Sequence, residues 1–283
     1  MSYKTILVHL VDELHAEGLL RATRPLAEAH GAHLIGLSVL PLVDAPSRKD
    51  TTVDELLRQY QSAMRSEAAR IEAIFKAPGP VAAYTSEWRL ADTGFERASD
   101  AIARHGSAAD IIVVSQDDPS WQSSGLMRDS AGLIGLLAGR PVLVIPHGRE
   151  IDQIGGRVLV AWNASRESAR AVFDALPLLK RASMVTVLCV QSPDAADNQS
   201  ISGFQPGEDI CSALTRHGVK CELKVEPPLA DGTAATLLSA VERHKAQLLV
   251  MGDYGRSRLS EFIFGGATRS VLREMTIPIL LSH

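Results

Sequence analysis

Short apolar runs alternate with longer stretches of mixed polarity along the whole chain of 283 residues. The apolar runs are rich in Val, Ile and Leu, which is typical of strands buried on both faces of a sheet. The mixed stretches repeat apolar residues every three or four positions, which predicts helices packed on that sheet. In the first half, strands are predicted at residues 5–10, 33–40, 82–88, 110–115 and 142–145, and helices at residues 13–30, 53–75, 95–105 and 130–137.

The second half repeats this order of elements. Its strands are predicted at residues 158–161, 184–190, 221–225, 248–251 and 279–281, and its helices at residues 166–179, 208–217, 234–244 and 267–275. Strands that alternate with helices favour parallel pairing, because each helix returns the chain to the same end of the sheet. With right-handed crossovers, the pattern predicts an α/β protein with two doubly wound parallel sheets in tandem.

Local similarity between the two halves supports the tandem arrangement. Residues 109–115 align with residues 246–252 at an offset of 137, and the segments around the last strand of each half align at the same offset. Similar segments at a fixed offset indicate an internal repeat. We therefore predict two domains, residues 1–148 and 156–283, joined by a polar connector that contains glycine.

The composition is that of a globular protein with an ample core. Apolar residues make up 46% and charged residues 22% of the chain, and the net charge is −4. This charge creates no field that would favour nucleic acid or an anionic membrane as a partner. The N-terminus lacks the features of a signal peptide, and no apolar run is long enough to span a bilayer. Because the three cysteines form no CxxC pair, we expect a cytoplasmic protein with reduced thiols.

A glycine-rich segment follows the strand predicted at residues 248–251. The strand leads into Gly252 and Gly255, and a helix is predicted directly after Gly265 and Gly266. Glycine lets backbone amides approach an anion without a Cβ in the way, and unpaired amides at a helix N-terminus attract negative charge. The spacing matches neither the dinucleotide fingerprint nor the Walker loop. The segment therefore predicts a phosphate site of another kind.

The spacing Gly252-x2-Gly255-x9-Gly265 resembles the ATP-binding motif of the universal stress protein family, Gly-x2-Gly-x9-Gly-(Ser/Thr). Residues 160–168, VAWNASRES, are similar to the family's opening V-x-V-D-G-S-x-x-S. The resemblance extends over almost the whole chain as two tandem copies. It implies an adenine nucleotide alpha hydrolase-like fold in each half, and a chain similar to a tandem universal stress protein.

The resemblance also implies a site for ATP or another adenine nucleotide, with or without Mg²⁺, in the second half. The glycines and the start of the following helix would hold phosphates and ribose beside Arg256, while Met251 and Val190 would line the adenine. The implied binding residues are Asn163, Val190, Met251, Gly252, Gly255, Arg256, Gly265, Gly266, Ala267 and Thr268. Asn163 stands where the family has aspartate, and Gly266 where it has Ser or Thr. Both departures remove polar contacts, so weaker binding is expected.

The first half lacks this motif. Subtracting the offset of 137 places Ser115, Asp118, Arg128 and Asp129 at the glycine positions. Carboxylates there would repel a triphosphate, so we expect no ATP binding of this kind. Universal stress protein homodimers pair their last strands, and the resemblance implies that this chain makes the same contact internally, as a pseudo-dimer. The sequence does not decide whether two whole chains also associate as a homodimer.

Three readings of the function follow. The favoured one is a nucleotide-dependent sensor or regulator of the stress response that acts on an unidentified protein partner and is at most a slow ATPase. The second is a metal-dependent hydrolase that uses His9, Asp12 and His15, an H-x2-D-x2-H pattern at the end of the first strand, since imidazole and carboxylate groups suit divalent metals. The third is a scaffold that binds no nucleotide.

Overall fold

A computed structural model describes residues 2–40, 51–77, 84–93, 96–118, 130–191, 207–253 and 266–283. Gly255, Arg256 and Gly265 of the predicted site lie outside these ranges, as do Arg128 and Asp129 of the first half. Within the ranges, the chain folds into a single mixed sheet with helices packed on both faces. None of the described helices is long and apolar enough to cross a membrane.

The sheet has ten strands in the order β3-β2-β1-β4-β5-β10-β9-β6-β7-β8. All neighbouring strands are parallel except β5 and β10, which are antiparallel. The α/β class and the mostly parallel sheet are therefore confirmed. The strands are β1 Thr5–His9, β2 His33–Leu40, β3 Ser86–Asp92, β4 Ile111–Ser115, β5 Val142–Ile145, β6 Arg157–Ala161, β7 Met184–Val190, β8 Cys221–Glu226, β9 Leu248–Gly252 and β10 Ile279–Ser282.

The described helices alternate with these strands. They are α1 Glu13–His30, α2 Thr51–Lys76, α3 Ala98–Gly106, α4 Ser130–Ala138, α5 Arg166–Asp174, α6 Leu176–Leu179, α7 Glu208–Arg216, α8 Gly232–Arg243 and α9 Gly266–Glu274. Helix α1 begins and ends at the predicted residues because both ends are capped. The Asp12 side chain accepts a hydrogen bond from the His15 amide, and Gly31 ends the helix with a left-handed φ of 57°.

The two halves have the same strand order. In the first half the order is β3-β2-β1-β4-β5, and in the second half β8-β7-β6-β9-β10 is its equivalent. The halves meet where β5 pairs with β10, with Leu143 opposite Leu280. Both leucines are fully buried. The sequence predicted that these last strands pair, and the structure confirms it.

Two hydrophobic layers cover the faces of the sheet. Ile6 and Val8 of β1 lie in one layer, and Leu7 between them lies in the other. Each layer also contains residues of the second half, for example Val158 in the first layer and Leu159 in the second. Burial on both faces explains why the strands are nearly continuous apolar runs.

Strand β3 differs from its prediction. It spans Ser86–Asp92 and pairs with β2 alone, as the edge of the sheet. The prediction at residues 82–88 followed the apolar run that begins at Val81. An edge strand is half exposed and carries charged side chains such as Glu87 and Arg89, so its apolar pattern is weak.

The predicted helix at residues 166–179 is interrupted. Helix α5 ends at Asp174, and the short helix α6 begins at Leu176. Pro177 has no N–H to donate to the carbonyl of Phe173, and its ring restricts the preceding residue. The remaining helix boundaries lie within a few residues of their predictions.

Candidate functional site

Three adjacent strands of the second half, β9, β6 and β7, end on the same edge of the sheet. Met251 and Gly252 lie at the end of β9, Val190 at the end of β7, and Asn163 just after β6. Helix α9 connects β9 to the parallel strand β10, so it runs back across the sheet and starts at this edge. The structure therefore brings the described members of the predicted site to one edge.

Gly252 has a packing role of its own. A Cβ added at this position would lie 2.5 Å from the Ser168 amide nitrogen and 2.6 Å from the Glu167 carbonyl carbon. Both atoms belong to the backbone of α5 and cannot move aside cheaply. Glycine is therefore required here for β9 to approach the start of α5, whatever the site binds.

Gly266 is in the opposite situation. It is exposed at the first position of α9, and an added Cβ would meet nothing within 4 Å. Among the described residues, therefore, none packs against the position where a side chain at residue 266 would begin. The first amides of a helix have no intrahelical acceptor, and the helix dipole adds partial positive charge. An anion can approach this end of α9 without steric hindrance from the residue at its start.

The predicted adenine wall is apolar. Met251 is buried in the same hydrophobic layer as Val271 of α9, and Val190 packs against this layer while half exposed. Thr268 in the first turn of α9 is also buried. The wall therefore presents an apolar surface beside the polar start of the helix.

Asn163 belongs to a turn that leads into α5. Its Oδ1 atom accepts a hydrogen bond from the Ser165 amide at 3.1 Å, and Ala164 between them has a left-handed φ of 57°. The Ser165 hydroxyl in turn accepts from the Ser168 amide and caps the helix. An aspartate at position 163 could accept the same hydrogen bond from the Ser165 amide. The turn therefore does not explain why this chain has asparagine where the family has aspartate.

Two carboxyl groups lie beside Gly252. Asp253, directly after β9, is 2% exposed, and its amide donates to the Ser282 carbonyl at 2.8 Å. Partial burial alone would raise the pKa of Glu167, yet hydrogen bonds from its own amide and from Ser165, with the charge of Arg166, hold that pKa below its usual range. Glu167 thus stays ionised at neutral pH. A bound phosphate would need amides or a cation to offset this charge.

In the first half, the sequence grouped His9, Asp12 and His15 as candidate metal ligands. The structure brings Asp12 and His15 together but buries His9. His9 is fully buried at the end of β1, and burial lowers its pKa to about 4. Asp12 and His15 do meet, with 2.8 Å between Asp12 Oδ1 and His15 Nδ1. His9 points into the core because strand residues alternate between the two faces, whereas Asp12 and His15 form the first turn of α1.

His15 contacts two residues that the sequence did not associate with it. Its Nε2 lies 3.5 Å from Asp118 Oδ2, and its ring meets that of His147 edge to face, with 6.0 Å between centroids. Asp118 follows β4 and His147 follows β5, and both strands neighbour β1 or each other in the sheet. The sequence signal that could have linked these residues is that each follows a buried strand, because parallel strands end at the same edge of a sheet.

The fold and the positions of the predicted residues together describe a doubly wound α/β protein whose candidate site residues lie at the carboxyl edge of its sheet. Residues 156–283 match the model of the universal stress protein family. This part of the chain, slightly less than half of it, is therefore similar to a universal stress protein domain.

Comparison with solved structures extends the likeness to the fold of the whole chain. A universal stress protein from Archaeoglobus fulgidus DSM 4304 superposes with a TM-score of 0.66 and 18% identity, over 98% of this chain and 95% of its own. A functionally unknown protein from Pseudomonas aeruginosa PAO1 superposes with a TM-score of 0.61 and 17% identity, over 99% and 92%. No curated protein sequence matches this chain.

Proposed function

We propose that the domain at residues 156–283 binds an adenine nucleotide at the ends of β9, β6 and β7. The observation that carries this proposal is the glycine at the first position of α9, where a side chain would meet no described atom within 4 Å and packing gives no reason for glycine. Phosphates would contact the amides of this first turn, as anions commonly do at helix N-termini. The apolar side chains of Val190 and Met251 would face the base.

We infer that Mg²⁺ accompanies the phosphates when ATP is bound. Asp253 follows Gly252 in the chain and Glu167 packs against Gly252, and an ionised carboxylate at either position would repel a bare triphosphate. Mg²⁺ prefers carboxylate, phosphate and water oxygens, so it would neutralise both sets of charges. AMP carries fewer phosphates and is expected to depend less on the metal.

The role we propose for the nucleotide is regulation of a protein partner. The edge that would hold the nucleotide also carries the segment between β9 and α9, so a bound ligand would contact the chain on both sides of this segment. A ligand shifts an equilibrium by as much as its affinities for the two states differ. Turnover is not needed for such a signal, and we therefore propose a sensor in the cytoplasm instead of a fast enzyme.

The substitution Gly266→Asp tests the site. The added side chain enters open space, and an aspartate at a helix N-terminus is favourable for the helix, so the protein should fold normally. Its carboxylate would repel phosphate, and binding of MgATP and AMP should be lost in calorimetric titrations. The matched control is Gly18→Asp, which adds the same charge at an exposed glycine of α1 that also has no neighbour within 4 Å.

A second substitution at the same position, Gly266→Ser, should have the opposite effect and strengthen nucleotide binding. It supplies the hydroxyl that the family motif has at this position, and one charge-assisted hydrogen bond contributes about 1.5–3 kcal/mol, or roughly tenfold in affinity or more. In thermal unfolding, a saturating nucleotide at about 100 times its Kd should add about 2.7 kcal/mol to the free energy of unfolding. A wild-type protein that shows neither heat of binding nor this stabilisation would rule out the nucleotide site.

A further inference from the structure

A group of metal-binding side chains lies at the carboxyl edge of the first half. His15, Asp118 and His147 each offer a ligand atom, and the three atoms lie within 4.8 Å of one another. His15 lies in the first turn of α1, which follows β1, while Asp118 follows β4 and His147 follows β5, and these three strands are adjacent in the sheet. In this half, the group lies at the edge that corresponds to the nucleotide site proposed for the second half.

The hydrogen bonds of His15 define which ring nitrogen faces the group. Its Nδ1 lies 2.8 Å and 2.9 Å from the two carboxylate oxygens of Asp12. An Nδ1–H that donates to Asp12 leaves Nε2 as the acceptor atom, directed at Asp118 and His147. A carboxylate behind a histidine is the usual support of a metal-binding imidazole, since it fixes the tautomer and makes the ring more basic.

The spacing between the ligand atoms suits a bound ion better than a direct hydrogen bond. His15 Nε2 and Asp118 Oδ2 are 3.5 Å apart, which is long for a hydrogen bond. Two ligands at about 2.0–2.1 Å from a tetrahedral zinc ion lie roughly 3.3–3.4 Å from each other. An unprotonated Nε2 opposite a carboxylate also brings two electron pairs together, and a cation between them removes this repulsion.

We propose that His15, Asp118 and His147 bind a divalent transition metal, with zinc the ion that this donor set suits best. Two imidazoles and one carboxylate are a donor set that zinc accepts with a fourth position left open. The side chains of His15 and Asp118 are only 13% and 20% exposed, so much of the hydration of an ion would be replaced by protein ligands. The two halves of the chain would thus bind different ligands at equivalent edges.

Zinc and cobalt titrations of the full chain test this proposal. After removal of metals with a chelator and in the presence of a phosphine reductant, the wild type should bind about one Zn²⁺ per chain at this site. Co²⁺ at the same site should give the visible absorption of a tetrahedral ion. The substitutions His147→Ala and Asp118→Asn should each weaken zinc binding at least tenfold. Asp12→Asn, which keeps all three ligands, should weaken it about 10- to 100-fold.

The matched control is His33→Ala. His33 also lies beside a carboxylate, with 3.5 Å between its Nε2 and Glu87 Oε2, but it is at the start of β2 on the opposite edge of the sheet. Zinc binding should not change in this variant.

Cys211 and Cys221 form a second pair of side chains that zinc could bind, so the experiment must distinguish them from the proposed site. Burial and the neighbouring Cys221 raise the pKa of Cys211 to about 12.

Three outcomes would overturn the proposal. The first is a wild-type protein that binds neither Zn²⁺ nor Co²⁺. The second is zinc binding that persists unchanged in His147→Ala. The third is zinc binding that is lost in a double Cys211→Ser, Cys221→Ser variant, which would assign the metal to the thiols. Circular dichroism of each variant checks that the fold is retained.

Discussion

His9 and His15 show how differently one side chain behaves at two positions in the same segment. His9 ends β1 inside the core and is 4% exposed, whereas His15 lies in the first turn of α1 between carboxylates. Burial lowers the pKa of His9 from 6.5 to about 4. His9 is therefore neutral in the folded protein at neutral pH and in mild acid.

The buried His9 should make the protein less stable in mild acid. As the pH falls below 6.5, the unfolded chain takes up a proton that folded His9 refuses until the pH is near 4. Stability is thus fully present above pH 6.5 and is lost between pH 6.5 and 4. At pH 5 the loss amounts to about 2 kcal/mol. Urea unfolding at pH 7 and pH 5 should show that His9→Leu loses less stability than the wild type by this amount.

A second histidine, His30, also contributes to the loss of stability in acid. Burial, followed by the charges of Arg181 and Lys4, lowers the pKa of His30 as well. His30 is present in both proteins, so its contribution cancels when the wild type is compared with His9→Leu. An equal loss of stability between pH 7 and pH 5 in both proteins would show that His9 does not titrate as its burial requires.

At the scale of elements, side chains of the first half cap two helices of the second half. Gln116, just after β4, donates from Nε2 to the Leu272 and Arg273 carbonyls at 2.8 Å and 3.2 Å. These carbonyls lie in the last turn of α9, which has no intrahelical donor for them. Similarly, the Tyr3 hydroxyl donates to the Asp174 carbonyl at the end of α5 at 2.8 Å. Two helices of the second half thus end on side chains of the first.

Removing the Gln116 cap should destabilise the protein. Gln116 is 8% exposed, so Gln116→Leu would leave carbonyls at the end of α9 without this donor in a buried place. The expected cost is about 1–3 kcal/mol, measured by denaturant unfolding. The control is Gln59→Leu on the exposed face of α2, where a change within about 0.5 kcal/mol is expected. Equal stabilities of the two variants would show that the cap contributes nothing.

At the scale of the whole molecule, the two halves share one sheet and both hydrophobic layers. Leu143 and Leu280 face each other at the β5–β10 junction and are fully buried. Neither half can open at this junction without exposing both layers. We therefore expect the chain to unfold in one cooperative transition, although it is built from two repeats.

The substitution Leu280→Ala tests this coupling. Truncating a buried leucine costs about 2–5 kcal/mol, and the loss should appear equally in both halves. Trp88 in the first half and Trp162 in the second serve as fluorescence probes, each studied in a variant that keeps it as the sole tryptophan. Separate transitions for the two probes would contradict cooperative unfolding. Leu14→Ala, at a leucine that is 84% exposed, is the control and should change little.

Much of the architecture could be predicted because its signals are local. Strands buried on both faces need continuous apolar runs, and the eight inner strands follow such runs closely, whereas the edge strands β3 and β8 carry charged residues. Helix α1 was predicted at both ends, since Asp12 and Gly31 are caps that act within one turn. The resemblance to a family whose homodimers pair their last strands implied the pairing of β5 with β10, which the structure has. The nucleotide site itself stays a prediction, and its middle lies outside the described residues.

What the sequence determined by itself was therefore the class of fold, the order of its elements and the edge of the sheet at which the described candidate residues meet. Each of these depends on neighbours within a few positions along the chain. The tertiary structure alone decided the position of the edge strand β3, the burial of Asp253, the steric need for Gly252 and the meeting of His15 with Asp118 and His147. These features arise where strands distant in sequence end side by side, and their distances depend on packing that no local pattern encodes.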